Sequence, residues 1–340
     1  MKKILNDPVD YVDEMIEGLV VAHPYHFRRI PDAQRALVHV QAPVEGKVGI
    51  VTGGGSGHLP IFLGYVGPGL VDAVAIGNVF SSPSAEEILS ATKAVDSGAG
   101  VLFLFGNYAG DVMNFDMAAE SAQESGICVA TSIVSDDVAS SPPTEKEERR
   151  GVAGLFFAYK IAGACAVSGA TLAEVKAAAD RANANTRSMG VALSPCTIPE
   201  VGRPTFELGE NEMELGMGIH GEKGIERTAL ATANEIAESV MSRILADIEL
   251  GGGDEVAVLV NGLGATPLEE LYIMLRRVSS TLHEHEVSIN RAYVGEYATS
   301  MEMVGASISL MRLDSELKMW LDAPSYSPLL PQPPRECIHV

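Results

Sequence analysis

Apolar positions recur at two spacings along this chain, and the two spacings take turns. Residues 48–52 form a short apolar run ending in glycines, and residues 70–80 form a second. Over 84–97 the spacing becomes helical, through Ile88, Leu89, Ala91 and Val95, with Glu86 and Glu87 in the first turn, where the helix dipole favours carboxylates. Residues 100–105 are continuously apolar, as a strand covered on both faces should be. A helix is expected over 115–125, a strand over 127–134 and a buried helix over 151–169. Next comes a helix over 171–189, where Thr171 and Glu174 have capping-box spacing. A strand over 190–198, a long helix over 227–247 and a strand over 255–260 follow, with Gly251–Gly253 as a loop. A helix over 267–285 opens on a proline, strands follow over 287–297 and 306–313, and a proline-rich tail ends the series. His23 and His26 fall at the end of a first helix. The alternation predicts an α/β layer fold. Two α/β domains are expected, 1–185 and 186–340, with mixed or mostly parallel sheets and an active site in a crevice at the strand ends.

Composition narrows the function. With 340 residues and 46% hydrophobic side chains, the chain can bury a large core and is not a disordered protein. The formal charge of −21 repels phosphate backbones, so nucleic-acid binding is disfavoured. Cys128, Cys165, Cys196 and Cys337 lack CxxC spacing, which argues against a disulfide scaffold or a zinc site. Asp7 and Pro8 interrupt any export signal at the N-terminus. The apolar stretch 151–170 carries Lys160 at its centre, so a core helix is expected there and no membrane span. A cytoplasmic protein is expected.

Three segments can carry chemistry. In the first, Gly53-Gly54-Gly55-Ser56-Gly57-His58 follows a strand, and its glycines let backbone N–H groups approach a ligand. It lacks the lysine of a Walker A loop. It has His58 where a GxSxG elbow needs glycine, and Pro60 where a dinucleotide fingerprint starting at Gly55 needs one. A purely structural turn is the plain alternative. In the second segment, Asp111 lies just past the 100–105 strand, as a helix cap or as a general base facing the crevice that His58 faces. In the third, Gly216, Gly218 and Gly221 bracket His220, with Glu214 and Glu222 nearby. No second histidine stands at ligand spacing, so no metal site is expected. Asn261-Gly-Leu-Gly-Ala-Thr-Pro267 binds a ligand or simply turns. Asp136 and Asp137 are expected to solvate a loop, Arg149 and Arg150 to form a solvated face or a partner contact, and His283 and His285 to be solvated.

Together these segments, with Arg149-Arg-Gly-Val152, Asn211-Glu-Met-Glu214 and Gly218-Ile-His-Gly-Glu222, resemble the dihydroxyacetone kinase family over nearly the whole chain, in particular its separate DhaK-type substrate-binding subunits. The resemblance implies that His220 holds a short-chain ketose as a covalent hemiaminal. It implies that His58 and Asp111 polarise and deprotonate the hydroxyl that receives the phosphoryl group. Gly54, Gly55, Ser56 and Gly57 match the loop around the substrate. Glycerol has no carbonyl to attack, so covalent capture separates ketoses from polyols. The sequence departs from the family pattern at two positions. Leu59 stands where glutamate is usual and Gly106 where lysine is usual. The loss of that lysine implies room beside Gly106 for a four-carbon ketose such as erythrulose, with Leu59 offering apolar surface to the added carbon.

Phosphoryl transfer needs cationic and metal clamps on the donor, and none is legible here. The resemblance therefore implies no cofactor in this chain. It implies a DhaL-type nucleotide-binding partner subunit carrying ATP or ADP with Mg, and a homodimer. Two rival readings differ in class: a non-catalytic ketose-sensing regulatory paralogue, and a sugar isomerase using the same His and Asp.

Overall fold

The computed structural model describes residues 2–332, so Cys337 and the end of the proline-rich tail lie outside the described residues. Helix α1 (Tyr11–Ala22) leads into an antiparallel pair, β1 (Phe27–Ile30) and β2 (Ala33–His39). β3 (Gly49–Ser56), β4 (Ala73–Val79), α2 (Ala85–Val95), β5 (Val101–Gly106), α3 (Ala109–Glu124) and β6 (Val129–Val134) follow. The first sheet has the order β1-β2-β4-β3-β5-β6, with β4, β3, β5 and β6 parallel. Helices α4 (Leu155–Val167) and α5 (Leu172–Ala184) lead to the second half. It contains β7 (Thr186–Ser194), β8 (Glu212–Leu215), β9 (Glu226–Ala229), α6 (Ala233–Asp247), β10 (Glu255–Gly262), α7 (Leu268–Glu284), β11 (Ser288–Gly295), β12 (Val304–Leu313) and α8 (Ser315–Asp322). The second sheet, β11-β10-β12-β7-β8-β9, is antiparallel except for the β10–β11 pair. This is the expected α/β class with two sheets, one mostly parallel and one mixed.

Strand residues alternate between faces, and the clusters follow that alternation. Val51, Phe103 and Phe105 pack with Ile88 of α2 and Phe115 of α3. Ile50, Leu102 and Leu104 face the other way, onto Phe156, Tyr159 and Ile161 of α4. In the second sheet, Val256, Val258 and Val260 pack with Val240 of α6 and Val278 of α7. Ala257, Leu259 and Met311 join the α4 cluster. The layers therefore run α2/α3, first sheet, α4, second sheet, α6/α7. Every residue from Leu155 to Ala166 is buried, which is why α4 has no polar face.

Several element boundaries differ from the sequence expectation. β3 does not stop at residue 52. Gly53, Gly54 and Gly55 continue its ladder with Ala75, Ile76 and Gly77 of β4, so the glycines belong to the strand. α3 begins at Ala109, six residues before the expected start, which puts Asp111 in its first turn. The capping box of Thr171 and Glu174 opens α5, but the helix ends at Ala184. Residues 186–189 pair with 308–311 of β12, and this ladder prevails over local helical spacing. Arg227 is in β9, paired with Glu214, and a second capping box, Thr232 with Glu235, sets the start of α6 at Ala233. Among the described residues no helix is long and apolar enough to cross a membrane.

Lys160 is fully buried at the centre of α4, where it meets the C-terminal end of α8. Its Nζ donates to the Trp320 carbonyl at 3.4 Å and to the Ala323 carbonyl. Burial, helped by the nearby Arg291 charge, pushes its pKa down to about 8 from 10.5. The unfolded chain therefore holds this proton to higher pH than the native state does. The penalty on the buried ammonium is full below about pH 8 and lifts as pH rises toward 10.5. Over that window Lys160→Met should flatten the rise in urea midpoint that the wild type shows. A variant that retains the wild-type slope would place its source elsewhere.

Candidate active site

Parallel strands β3 and β5 end on the same edge of the first sheet, and their ends carry His58 and Asp111. His220 comes from the β8–β9 connection of the second sheet. The structure brings the two histidines together, with ring centroids 4.7 Å apart and planes at 82°.

His58 is completely buried. Its Nδ1 lies 2.7 Å from the Thr299 carbonyl, which can only accept, so Nδ1 carries the proton and Nε2 the lone pair. Nε2 is buried without a partner. Phe80 stacks on the ring at 4.8 Å. Burial, with His220 adding to it, pushes the His58 pKa down to about 3, so the ring is neutral near pH 7. The loop behind it is held by Asn261, whose Nδ2 donates to the Ala298 carbonyl and whose Oδ1 accepts from the Tyr297 and Ala298 amides. The Asn261 motif thus shapes the loop that orients His58.

His220 is part exposed, and its Nδ1 donates to Glu222 Oε1 at 2.8 Å. Glu222 Oε2 accepts the His220 backbone N–H at 2.9 Å. Burial works against ionisation of Glu222, yet the His220 hydrogen bond and charge, with Arg150 beyond, hold its pKa down to about 2. An ionised acceptor at Nδ1 leaves the lone pair on Nε2. Glu214 does not face His220. It is buried, accepts from the Gly224 amide at 2.7 Å and pairs with Arg227 at 3.0 Å, bracing β8 against β9.

Asp111 is 5% exposed and makes a side-chain hydrogen bond with Ser82, but its Oδ1 is buried with no partner. Burial pushes its pKa up to about 6, partly offset by Ser82 and by His220. It caps no helix, since Tyr108 occupies the N-cap of α3.

The glycines of β3 are required by close packing. A Cβ at Gly54 would overlap the Phe62 ring, and one at Gly55 would come 2.6 Å from the Ser81 amide nitrogen. Gly57 has φ +101°, which a side chain would strain. The Ser56 hydroxyl is spent on the Gly77 carbonyl at 3.0 Å. The room expected beside Gly106 is filled. A Cβ there would meet the Gly151 carbonyl and Leu155 Cδ1 at 3.2 Å and Tyr108 Cε2 at 3.4 Å. Leu59 lines a cavity of about 340 Å³ together with Gly54, Gly55, Ser56, Gly57 and Phe62, and none of His58, Asp111 or His220 lines that cavity.

Sequence reasoning missed Tyr108 and Phe80. The Tyr108 ring stands edge-on to His220 at 4.7 Å, and its buried hydroxyl has no partner. The tyrosine stands three residues before Asp111, whereas Phe80 carries no signal beyond its place at a strand end. Asp136, Asp137 and Arg149 are buried rather than solvated, and Arg150 is nearly so. Asp136 accepts from the Val152 and Gly154 amides, and Asp137 pairs with Arg150. Arg149 grips Asp247 of α6 with two bonds of 2.8 and 2.7 Å, so the pair is not a partner-facing surface. His283 and His285 are exposed, as expected. Among the described residues no group of three or more His, Cys, Asp and Glu is placed to hold a metal ion.

The dihydroxyacetone-binding subunit DhaK of PTS-dependent dihydroxyacetone kinase 2 from Listeria innocua is 49% identical, over 96% of this chain and 98% of its own length. An L-erythrulose kinase from Pectobacterium atrosepticum is 43% identical, over 96% of this chain but 56% of that longer protein. Among solved structures, the dihydroxyacetone kinase of C. freundii superposes with a TM-score of 0.90 at 32% identity, covering all of this chain and 62% of that one. The dihydroxyacetone kinase operon co-activator Dha-DhaQ gives 0.86 at 32% identity, over 92% of this chain and 96% of that one. A family model described as the Dak1 domain matches residues 17–329, and on that match and the identity to full-length relatives the chain belongs to the Dak1 domain family.

Proposed function

We propose that this chain is the ketose-binding subunit of a dihydroxyacetone-type kinase. What carries the reading is the meeting of two imidazoles in opposite surroundings, one closed and one open, beside a buried carboxylate. His220 offers Nε2 as a nucleophile at an accessible position, and His58 offers an unpartnered Nε2 in a closed one. The His220 Nε2 lone pair adds to the ketose carbonyl and forms the N–C bond of the hemiaminal. The carbonyl π pair moves to oxygen, which takes one proton from solvent at this part-exposed position, and Glu222 meets the positive charge left on the ring.

The two remaining groups divide the proton work by their pKa values. A base titrating near 3 is too weak to keep a proton at neutral pH, so His58 accepts a hydrogen bond from the terminal hydroxyl and polarises it. Asp111, near 6, is mostly ionised at pH 7 and close enough to working pH to take the proton as the phosphoryl group arrives. Backbone at Gly54, Gly55, Ser56, Gly57 and Gly106 forms the ketose subsite. The phosphoryl donor is ATP or ADP with Mg, held on a nucleotide-binding partner of DhaL type, and the protein works as a cytoplasmic homodimer. The ketose is dihydroxyacetone or erythrulose, both of which stand in the names of relatives more than 40% identical.

A ketose-sensing regulatory role is the second reading, favoured by the likeness to an operon co-activator. It gives no use to a proton-transfer pair, and His58 and Asp111 are both present. Kinase assays with a nucleotide subunit, across dihydroxyacetone and both erythrulose enantiomers, separate the two readings. Turnover is expected only with that subunit added, and no turnover with any ketose supports the sensor.

In intact-protein mass spectrometry the wild type should carry one added ketose mass, and His220→Ala should lose it. An adduct retained in that variant would sink the assignment. Asp111→Asn and His58→Asn should keep the adduct and lower kcat by about 10²–10⁴-fold. In the wild type kcat/KM should fall with acid below a midpoint near pH 6 as Asp111 protonates. The same acid limb should persist in His58→Asn, whose residual activity still needs an ionised Asp111.

A further inference from the structure

Arg149 and Arg150 are adjacent in sequence but reach different elements of the second half. Arg149 closes on Asp247, which also pairs with Arg187. Arg150 turns to the loop that carries His220. Its backbone is fixed first, with its amide donating to Ser140 Oγ at 2.9 Å and its carbonyl accepting from the Asp137 amide at 3.1 Å. Its guanidinium then makes three contacts. Nη2 and Nε reach Asp137 Oδ2 at 2.7 and 3.0 Å. Nη2 also donates to the Gly216 carbonyl, at the end of β8, at 3.0 Å. Nη1 lies 3.9 Å from Glu222 Oε2, the oxygen that accepts the His220 backbone N–H.

Two glycines of the His220 segment are shaped by this contact. At Gly218 a Cβ would collide with both Glu222 Oε2 and Arg150 Nη1, so that residue has no side chain because the carboxylate and guanidinium fill the space. At Gly216 a Cβ would come 2.6 Å from the Cβ of Ala139, next to the Asp137 that anchors Arg150. The spacing Gly216-x-Gly218-x-His220-x-Glu222 therefore records the approach of the 137–150 segment as well as the freedom of the histidine.

We infer that Arg150 is the positioning residue for His220. Anchored on Asp137 in the first half of the chain, it holds the Gly216 carbonyl and the Glu222 carboxylate of the second half. It thereby fixes the imidazole in the tautomer that carries its proton on Nδ1 and its lone pair on Nε2. Its side-chain partners are Asp137, Gly216 and Glu222. The inference rests on the proposed ketose-binding role only for its kinetic consequence, since the tautomer is a property of the free protein.

The guanidinium geometry is what matters here. One planar group meets a carboxylate, a carbonyl and a second carboxylate at once, which a lysine ammonium on a flexible stem cannot do. Removing it alone strands Asp137, which is 3% exposed at its side chain, so Arg150→Gln risks misfolding. The double variant Arg150→Gln/Asp137→Asn removes the buried charges together and keeps hydrogen-bonding groups in place.

The experiment uses the full chain without ligand. Nitrogen-15 NMR of labelled histidines should report His220 protonated at Nδ1 in the wild type. In the double variant it should report a mixture of tautomers, with the His58 signals unchanged. With dihydroxyacetone added, adduct formation followed by mass spectrometry should slow by about 10–100-fold in the double variant, the range for losing a group that orients a reacting one. Arg150→Lys should recover the fold but only part of the rate. A folded double variant with the wild-type tautomer and a wild-type adduct rate overturns the inference. If the tautomer shifts while even the wild type forms no adduct, Arg150 keeps its positioning role and the covalent reading fails instead.

Discussion

Helix α4 is the constraint on which the rest of this molecule depends. It is buried on every side and contributes to one apolar cluster with strands from both sheets. Neither sheet can shift by much without opening voids along it, because close-packed interiors tolerate little change in volume. His58 and Asp111 belong to one sheet and His220 to the other. Their relative placement is therefore set by helix–sheet packing well away from the imidazoles, and the same helix begins just after the Arg149–Arg150 turn. A site assembled from two sheets inherits its precision from the layer between them.

Within the site, both imidazoles present a lone pair on Nε2, but by different means. His58 is enclosed by Phe80 and Phe62 and hydrogen-bonded only through Nδ1 to a main-chain carbonyl. His220 is nearer solvent and is fixed by a carboxylate that stays ionised. With the rings only 4.7 Å apart, burial and the neighbouring His220 both disfavour charge on His58, and only His220 has an anionic neighbour at Nδ1. Asp111 completes the contrast as a carboxylate whose own environment lifts its pKa.

Much of this was legible in the sequence, for identifiable reasons. Unbroken apolar runs gave away β5 and α4, because burial on both faces removes polar positions. The three ionisable site residues were visible through their glycine-rich surroundings and their places after strands. The hairpin of β1 and β2 and the short β8–β9 pair were not visible, since β1, β8 and β9 have four residues each and none carries a clean alternation of buried and exposed positions. Residues 186–189 were hidden for another reason: their β12 partners lie more than a hundred positions away. Asp136, Asp137, Arg149 and Arg150 read as solvated because charge usually is. Only the fold reveals that each has a buried counterpart, one of them in α6.

The glycine strand has a further consequence, for how such a protein can diversify. Residues 53–55 offer the crevice a wall of main chain with no side chain to exchange, and any Cβ added there collides with Ala75, Phe62 or Ser81. That wall is closed to variation by single substitution. Descendants of this fold that come to admit different small molecules must therefore do so through positions that already carry side chains around the two imidazoles, such as 80 and 108.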